Sequence, residues 1–366
     1  MTIEHLLSPL QIGALTLPNR LVMAPLTRQR SLPGNIPSEL NAHYYAQRAN
    51  AGLIISEASQ VCPEGQGYAW SPGIHSDAQI AGWQQVTQAV HNAGGRIFLQ
   101  LWHVGRISHP LLQPNGAAPV APSAVQAQAE CYVVEADGSH HKAATAMPRA
   151  LELNELPSVV EAYARGSVNA LKAGFDGVEV HAANGYLLDQ FLCSDSNQRT
   201  DAYGGSAENR ARFVLDVVDA TVAAVGDSRK IGIRISPMGT FGDVNDANPL
   251  ETFSYLVAQL NSRQLAYLHV NRPDWLGGTF EGFDALLSTL RQIYTGTMII
   301  AGGQTAESGE QAVADGLADL VAYGRPYIAN PDLLARFKAG ATLNPLDGNT
   351  LYGGGAEGYT DYPSMS

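Results

Sequence analysis

The sequence predicts a closed (β/α)₈ TIM barrel, an α/β fold, carried by a single domain over residues 1–366. Three observations predict it. Eight short, β-rich apolar segments recur along the chain, at 20–27, 52–59, 95–103, 175–181, 230–237, 266–271, 297–303 and 318–325. Stretches with helical spacing separate them, at 38–50, 77–93, 156–173, 208–225, 250–260, 283–294, 306–315 and 331–339, and strand-then-helix alternation builds parallel sheets. The competing doubly wound sheet would place a glycine-rich turn after the first strand, and none stands there. Gly353, Gly355 and Gly358 do make a G-x-G-x-x-G, but near the C-terminus with no βαβ unit around it, so it reads as a flexible loop.

Taken in order, Leu10, Ile12 and Leu15 alternate around Gly13 and predict an N-terminal β-hairpin. The first barrel strand ends in Ala24-Pro25-Leu26-Thr27 and the second in Glu57-Ala58-Ser59, where small or rigid residues let backbone groups approach a flat ligand. On the third, Arg96, Phe98, Gln100 and Trp102 share one face. Residues 104–153 follow, with Pro110, Pro114, Pro119, Pro122 and Pro148. So long an insertion on the face where barrels build active sites reads as a substrate lid. His140 and His141 within it read as solvated loop.

The fourth strand alternates Val178 and Val180 with Gly177, Glu179 and His181, and Asn184 and Tyr186 come just after it. Three hydrogen-bonding side chains of different acidity therefore leave the end of one strand. The fifth strand turns Ile231, Ile233 and Ile235 outward and Gly232, Arg234 and Ser236 inward. A guanidinium inside a barrel is costly unless it is paired or holds an anionic ligand, and both options are open here: a salt bridge to Glu179, or a ligand. Strands seven and eight end in Ala301-Gly302-Gly303 and Tyr323-Gly324-Arg325. These glycines serve as turns or as a phosphate cradle, and the adjacent Arg325 favours phosphate. A tail rich in Gly and Tyr covers 343–366.

Composition narrows the class of function. With 45% hydrophobic and 15% charged residues the chain can bury a large core, and a formal charge of −12 does not suit a nucleic acid or an anionic membrane as partner. Cys62, Cys131 and Cys193 are odd in number and lack CxxC spacing, so neither a disulfide framework nor a thiolate zinc site is indicated. The opening Met-Thr-Ile-Glu-His has no signal-peptide pattern and no apolar run is long enough to span a bilayer, so the expected location is cytoplasmic.

A planar heterocycle with donor and acceptor edges and a terminal phosphate satisfies the inward polar groups together, and flavin mononucleotide (FMN) is such a molecule. Gln100 and Arg234 suit its pyrimidine edge, Thr27 the opposite carbonyl, Pro25 and Ala58 backbone contacts, and Gly302, Gly303, Gly324 and Arg325 the phosphate.

These residues resemble the old yellow enzyme family of FMN-dependent ene-reductases. The resemblance spans residues 6–363 and rests on Asn19-Arg20-Leu21-Val22-Met23-Ala24-Pro25-Leu26-Thr27, on Gln100-Leu101-Trp102-His103-Val104-Gly105-Arg106, on the run 181–192, on Tyr203-Gly204-Gly205-Ser206 with Glu208-Asn209-Arg210, and on Gly324-Arg325-Pro326. The chain is most similar to the bacterial N-ethylmaleimide reductase and nitrate-ester reductase branch. The resemblance implies non-covalent FMN, NADPH or NADH as reductant, and reduction of α,β-unsaturated carbonyls, maleimides or nitroalkenes. In that scheme His181 and Asn184 hold the substrate oxygen while Tyr186 protonates Cα. It also implies a monomer, and a substrate cavity walled by Tyr68, Trp102, Phe241, Trp275 and Tyr352. Some relatives carry histidine where this chain has Asn184, which leaves action on nitroesters or nitroaromatics as an alternative emphasis. A metal-dependent barrel hydrolase or aldolase is the alternative from another class, without an H-E-x-x-H or comparable spacing to support it.

Overall fold

The computed structural model describes residues 3–135, 137–273 and 280–365. Eight strands form the barrel: β1 (Leu21–Met23), β2 (Leu53–Ile55), β3 (Ile97–Trp102), β4 (Gly177–Ala182), β5 (Ile231–Ile235), β6 (Tyr267–Asn271), β7 (Met298–Ala301) and β8 (Leu320–Tyr323). Every neighbouring pair is parallel, and the β8–β1 and β3–β4 pairings close the ring. Each strand falls inside the segment predicted for it, except that β4 runs one residue further, to Ala182.

Among the described residues, ten helices surround the ring: α1 (Glu39–Ala46), α2 (Asp77–Asn92), α3 (Leu156–Lys172), α4 (Leu187–Leu192), α5 (Ala207–Val225), α6 (Pro249–Asn261), α7 (Phe283–Ile293), α8 (Ala306–Ala314), α9 (Arg325–Ala329) and α10 (Leu333–Ala339). Their ends follow local chemistry. Ser76 opens α2 with a capping box to Gln79, Ser206 accepts from Asn209 N–H at the start of α5, and Gly226 ends α5 in the left-handed region that glycine tolerates.

Strand alternation splits the apolar residues into two cores. Val178, Val180, Ile231, Ile233 and Ile235 face outward and pack with the helices, including Val214, Leu256 and Leu287. Val22, Leu53, Ile55, Phe98, Tyr267, Ile299 and Leu320 fill the barrel interior and meet Ile12 and Leu17. Those last two belong to the hairpin Leu10–Ile12 and Leu15–Leu17, which covers the N-terminal mouth of the barrel. The C-terminal mouth is thereby the end left for chemistry.

Residues 104–153 carry more structure than a loop. Glu130–Val134 and His140–Ala144 pair as an antiparallel hairpin, and Val120–Ala121 pairs with Arg149–Ala150. Ala69 N–H donates to Tyr132 O at 2.8 Å, docking the hairpin on the segment that holds Tyr68. His140 and His141 are thus strand residues and not solvated loop, although both are exposed; cross-strand pairing with Val134 and Val133 orders them. His140 stands edge-on to Trp70 at 5.1 Å. Trp83 is fully buried, edge-on to Phe175 at 5.2 Å.

The tail is also held. Arg28 donates to Leu351 O and Gly358 O, Arg30 to Thr350 O and Gly355 O, and Arg48 to Tyr359 O. The Gly353, Gly355 and Gly358 run is therefore a segment tied down by arginines and not the flexible loop its composition suggests. Among the described residues, no helix is long and apolar enough to cross a membrane.

Candidate active site

At the C-terminal mouth the inward side chains of β3, β4, β5 and β6 converge. The ladder sets His181 beside Arg234, Arg234 beside His269, and Glu179 beside Gln100. Glu179 is fully buried and its carboxylate is taken on both oxygens, by Gln100 Nε2 at 2.7 Å and His269 Nδ1 at 2.8 Å. Arg234 instead donates from Nη2 to Asn271 Oδ1 at 2.8 Å. Of the two options open in the sequence, the salt bridge to Glu179 is not the one built.

Arg234 Nε, His181 Nδ1 and Trp102 Nε1 are buried polar atoms with no hydrogen-bond partner among the described residues. An unmatched buried donor costs about 1 to 3 kcal/mol, so unmatched donors gathered at one mouth favour an acceptor-rich ligand. Burial pushes the Arg234 guanidinium down from its ordinary value, while Glu179 pushes back. Burial also holds His181 well below the usual histidine range, helped by Arg234 and His269. His181 is accordingly a neutral imidazole with one N–H to give.

The turn after β4 carries the next two groups. Asn184 and Gly185 both have positive φ, at 57° and 73°. A Cβ on Gly185 would overlap the Phe241 carbonyl oxygen, so only glycine fits there. Asn184 N–H donates to Ser236 Oγ at 2.6 Å, Ser236 Oγ–H to Asp189 Oδ2 at 3.2 Å, and Gly185 N–H to the same oxygen at 2.8 Å. Burial lifts the Asp189 carboxyl to about 7, against these hydrogen bonds, which favour the ionised form. The Asn184 side chain accepts from Asn271 Nδ2 at 3.2 Å through Oδ1.

Tyr186 then stands over the mouth. Its ring lies edge-on to Trp102 at 4.9 Å, beside His181 at 5.2 Å and Phe241 at 5.9 Å. Its hydroxyl shares a hydrogen bond of 3.3 Å with Tyr68, whose ring stacks on Trp102. Burial raises the Tyr186 phenol above its ordinary value despite the opposing pull of Tyr68, so it keeps its proton at neutral pH.

The chain matches the model of the NADH:flavin oxidoreductase / NADH oxidase family over residues 5–344. It belongs to that family.

A putative 12-oxophytodienoate reductase 2 from Oryza sativa subsp. japonica is 45% identical over 98% of this chain and 94% of its own length. The 12-oxophytodienoate reductase 2 of Arabidopsis thaliana is 41% identical over 98% and 96%. Among solved structures, morphinone reductase in complex with tetrahydroNAD superimposes with a TM-score of 0.94 at 51% identity, covering 99% of this chain and 98% of that one. The old yellow enzyme homologue from Zymomonas mobilis does so with a TM-score of 0.92 at 40% identity, covering 98% and 99%. The chain is an old yellow enzyme-type FMN oxidoreductase that reduces activated alkenes with NAD(P)H. A nearer likeness to the N-ethylmaleimide reductase branch is an expectation from the sequence motifs alone.

The structure gathers most of the residues singled out in the sequence. Ala58 packs with Trp102, Val104, Tyr68 and Tyr186. Pro25 is buried and Leu26 and Thr27 half-buried where β1 ends. A Cβ on Gly324 would lie 3.3 Å from Leu26 Cδ2, so the ends of β1 and β8 touch. Gly302 and Gly303 follow β7 with φ of 102° and 61°. Arg325 is exposed at the start of α9. Tyr352 is 60% exposed, within electrostatic reach of Tyr68 and Tyr186. Trp275 lies outside the described residues.

Three groups of the network were given no role from the sequence: His269, Asn271 and Asp189. Strand parity could have found the first two, since Tyr267, His269 and Asn271 share the inward face of β6. Asp189 lies in α4, a helix absent from the predicted elements, although Leu187, Leu188, Phe191 and Leu192 have helical spacing.

Proposed function

We propose that this ene-reductase acts on alkenes conjugated to a carbonyl, maleimide or nitro group, with His181 and Asn184 holding the electron-withdrawing oxygen and Tyr186 protonating Cα. FMN bound at this mouth would supply the hydride chemistry that links NAD(P)H to the alkene Cβ. Gln100 and Arg234 would bind its pyrimidine edge; one N–H of Gln100 goes to Glu179, so the Gln100 carbonyl remains as an acceptor. Pro25, Leu26, Thr27 and Ala58 would line its ring, and Gly302, Gly303, Gly324 and Arg325 would hold its phosphate.

The observation that carries this reading is the convergence of His181, Asn184 and Tyr186 on the mouth where Arg234 is buried. As Cβ is reduced, enolate-like charge grows on the substrate oxygen. A neutral imidazole N–H and an amide NH₂ stabilise that charge, and losing one such donor typically costs about 3 to 4 kcal/mol. Tyr186 moves its phenolic proton to Cα, and the hydroxyl of Tyr68 hydrogen-bonds the developing phenolate. Trp102 and Phe241 exclude water from the reacting face, while Tyr352 completes the cavity. The segment 104–153 acts as a lid over a single barrel domain, and the protein works as a cytoplasmic monomer on small electrophilic alkenes.

Anaerobic stopped-flow on Tyr186→Phe tests it. Flavin reduction by NADPH or NADH is expected to stay near the wild-type rate while re-oxidation by cyclohexenone slows at least 100-fold. Equal slowing of both half-reactions would overturn the proton-donor role.

A further inference from the structure

Asn184 ends in an amide whose two faces are chemically opposite, and only the NH₂ end can donate to a substrate oxygen. Rotating that amide by half a turn exchanges O and N at nearly the same positions. Packing cannot tell the two orientations apart; a hydrogen-bonded neighbour can. The backbone anchor at Ser236 Oγ fixes where Asn184 sits and says nothing about its amide.

The orientation is decided one strand further round the barrel. Arg234 has donors only, so whichever end of the Asn271 amide faces Nη2 must be the carbonyl, and Asn271 Oδ1 does accept there at 2.8 Å. The other end of Asn271 is then a donor, and it meets Asn184 Oδ1 at 3.2 Å. With its carbonyl engaged, Asn184 turns its NH₂ away from Asn271. Asn271 itself is 3% exposed at the end of β6, in register with Ala301, so its amide is held inside the wall. Glu179 accepts from Gln100 and His269, whereas the guanidinium donates to Asn271.

We propose that Asn271 is a positioning residue for substrate binding: it relays the donor-only character of Arg234 to Asn184, so that Asn184 meets the substrate oxygen with its NH₂. This rests on Asn184 being an oxygen holder, as argued above. The polarity follows from a residue that cannot accept a hydrogen bond, and so does not depend on telling amide N from O.

The relay predicts an order of effects opposite to that of a merely structural role. Asn271→Asp is nearly isosteric, but its carboxylate accepts from both Arg234 and Asn184, which turns the Asn184 carbonyl toward the substrate. Asn271→Ala removes more atoms yet leaves the Asn184 amide free to take either orientation. In FMN-loaded protein, titrated with 4-nitrophenol and followed by flavin and phenolate absorbance, Asn271→Asp is expected to weaken affinity about ten-fold or more and Asn271→Ala about two- to three-fold. A structural role gives the reverse order.

Repeating both substitutions in an Asn184→Ala background separates the relay from simple charge repulsion, since only the relay acts through Asn184. There, the excess loss of Asn271→Asp over Asn271→Ala is expected to shrink and the Asn271→Ala effect to vanish. Equal losses in both backgrounds would overturn the relay while leaving Asn184 as an oxygen holder. If Asn184→Ala alone leaves 4-nitrophenol affinity unchanged, the oxygen-holder reading itself fails and the relay with it. Should Asn271→Asp not fold, Asn271→Ala in the two backgrounds decides the question alone.

Discussion

At the residue scale, the chemistry depends on protonation states that burial dictates. His181 stays neutral because desolvation, with Arg234 and His269 nearby, disfavours its cation. It therefore offers a single N–H over the pH range where an exposed histidine would switch. His181→Ala is expected to weaken 4-nitrophenol binding about ten-fold while FMN remains bound, read from the flavin absorbance of the purified protein. Unchanged phenol affinity would remove His181 from the oxygen site. Each side chain that donates to substrate in this reading was visible in the sequence, since His181, Asn184 and Tyr186 leave one strand end together. Asn271, which donates to Asn184, and Asp189, which accepts from Ser236, were not, because a hydrogen bond between side chains 87 or 47 positions apart leaves no local pattern.

At the scale of elements, the turn after β4 depends on the start of α4. Asp189 accepts from Gly185 N–H and from Ser236, and so secures the positive-φ pair that sets Asn184. Its carboxyl, lifted to about 7 by burial, holds a proton more tightly in the folded protein than in the unfolded chain, where the value is about 3.9. Between about pH 4 and pH 7 the folded state therefore binds the extra proton, and this group makes stability fall as pH rises. Asp189→Asn keeps an acceptor for both donors but cannot ionise. Relative to that variant, the wild type is expected to lose stability from pH 5 to pH 8, as measured by urea midpoints; parallel midpoints would exclude a titrating Asp189. Gly185→Ala, whose Cβ would overlap the Phe241 carbonyl, is expected to cut enone turnover at least ten-fold and lower stability by about 1 to 3 kcal/mol. Wild-type turnover in that variant would show the turn to be tolerant. Helix α4 was missed because it spans only Leu187–Leu192, too short for its apolar spacing to stand out.

At the scale of the whole molecule, the tail is part of the barrel. Tyr359 is fully buried, stacks on Tyr44 at 4.0 Å and accepts from Asn41 at its hydroxyl, with the guanidiniums of Arg28 and Arg30 5.0 and 4.5 Å from its ring. Arg28 directly follows Thr27, and its N–H donates to Glu57, which directly precedes Ala58. Residues 351–359 are thus fastened to the two strand ends assigned to the flavin ring. Tyr359→Ala is expected to destabilise the FMN-loaded protein by about 3 to 5 kcal/mol, measured by denaturant unfolding, and a change below about 0.5 kcal/mol would mean that the tail is merely draped on the surface. The barrel itself was legible because strand alternation and helix spacing are local consequences of burying one face of each element. The sequence by itself determined the eight strands, the eight principal helices and the residues that face the mouth. Only the tertiary structure decided that Glu179 serves Gln100 and His269 while Arg234 turns to Asn271, that His140 and His141 lie in a strand, and that arginines bind the glycine-rich tail. The reason is physical: which neighbour satisfies a buried donor depends on distances across the closed barrel, and those exist only once every strand is in register.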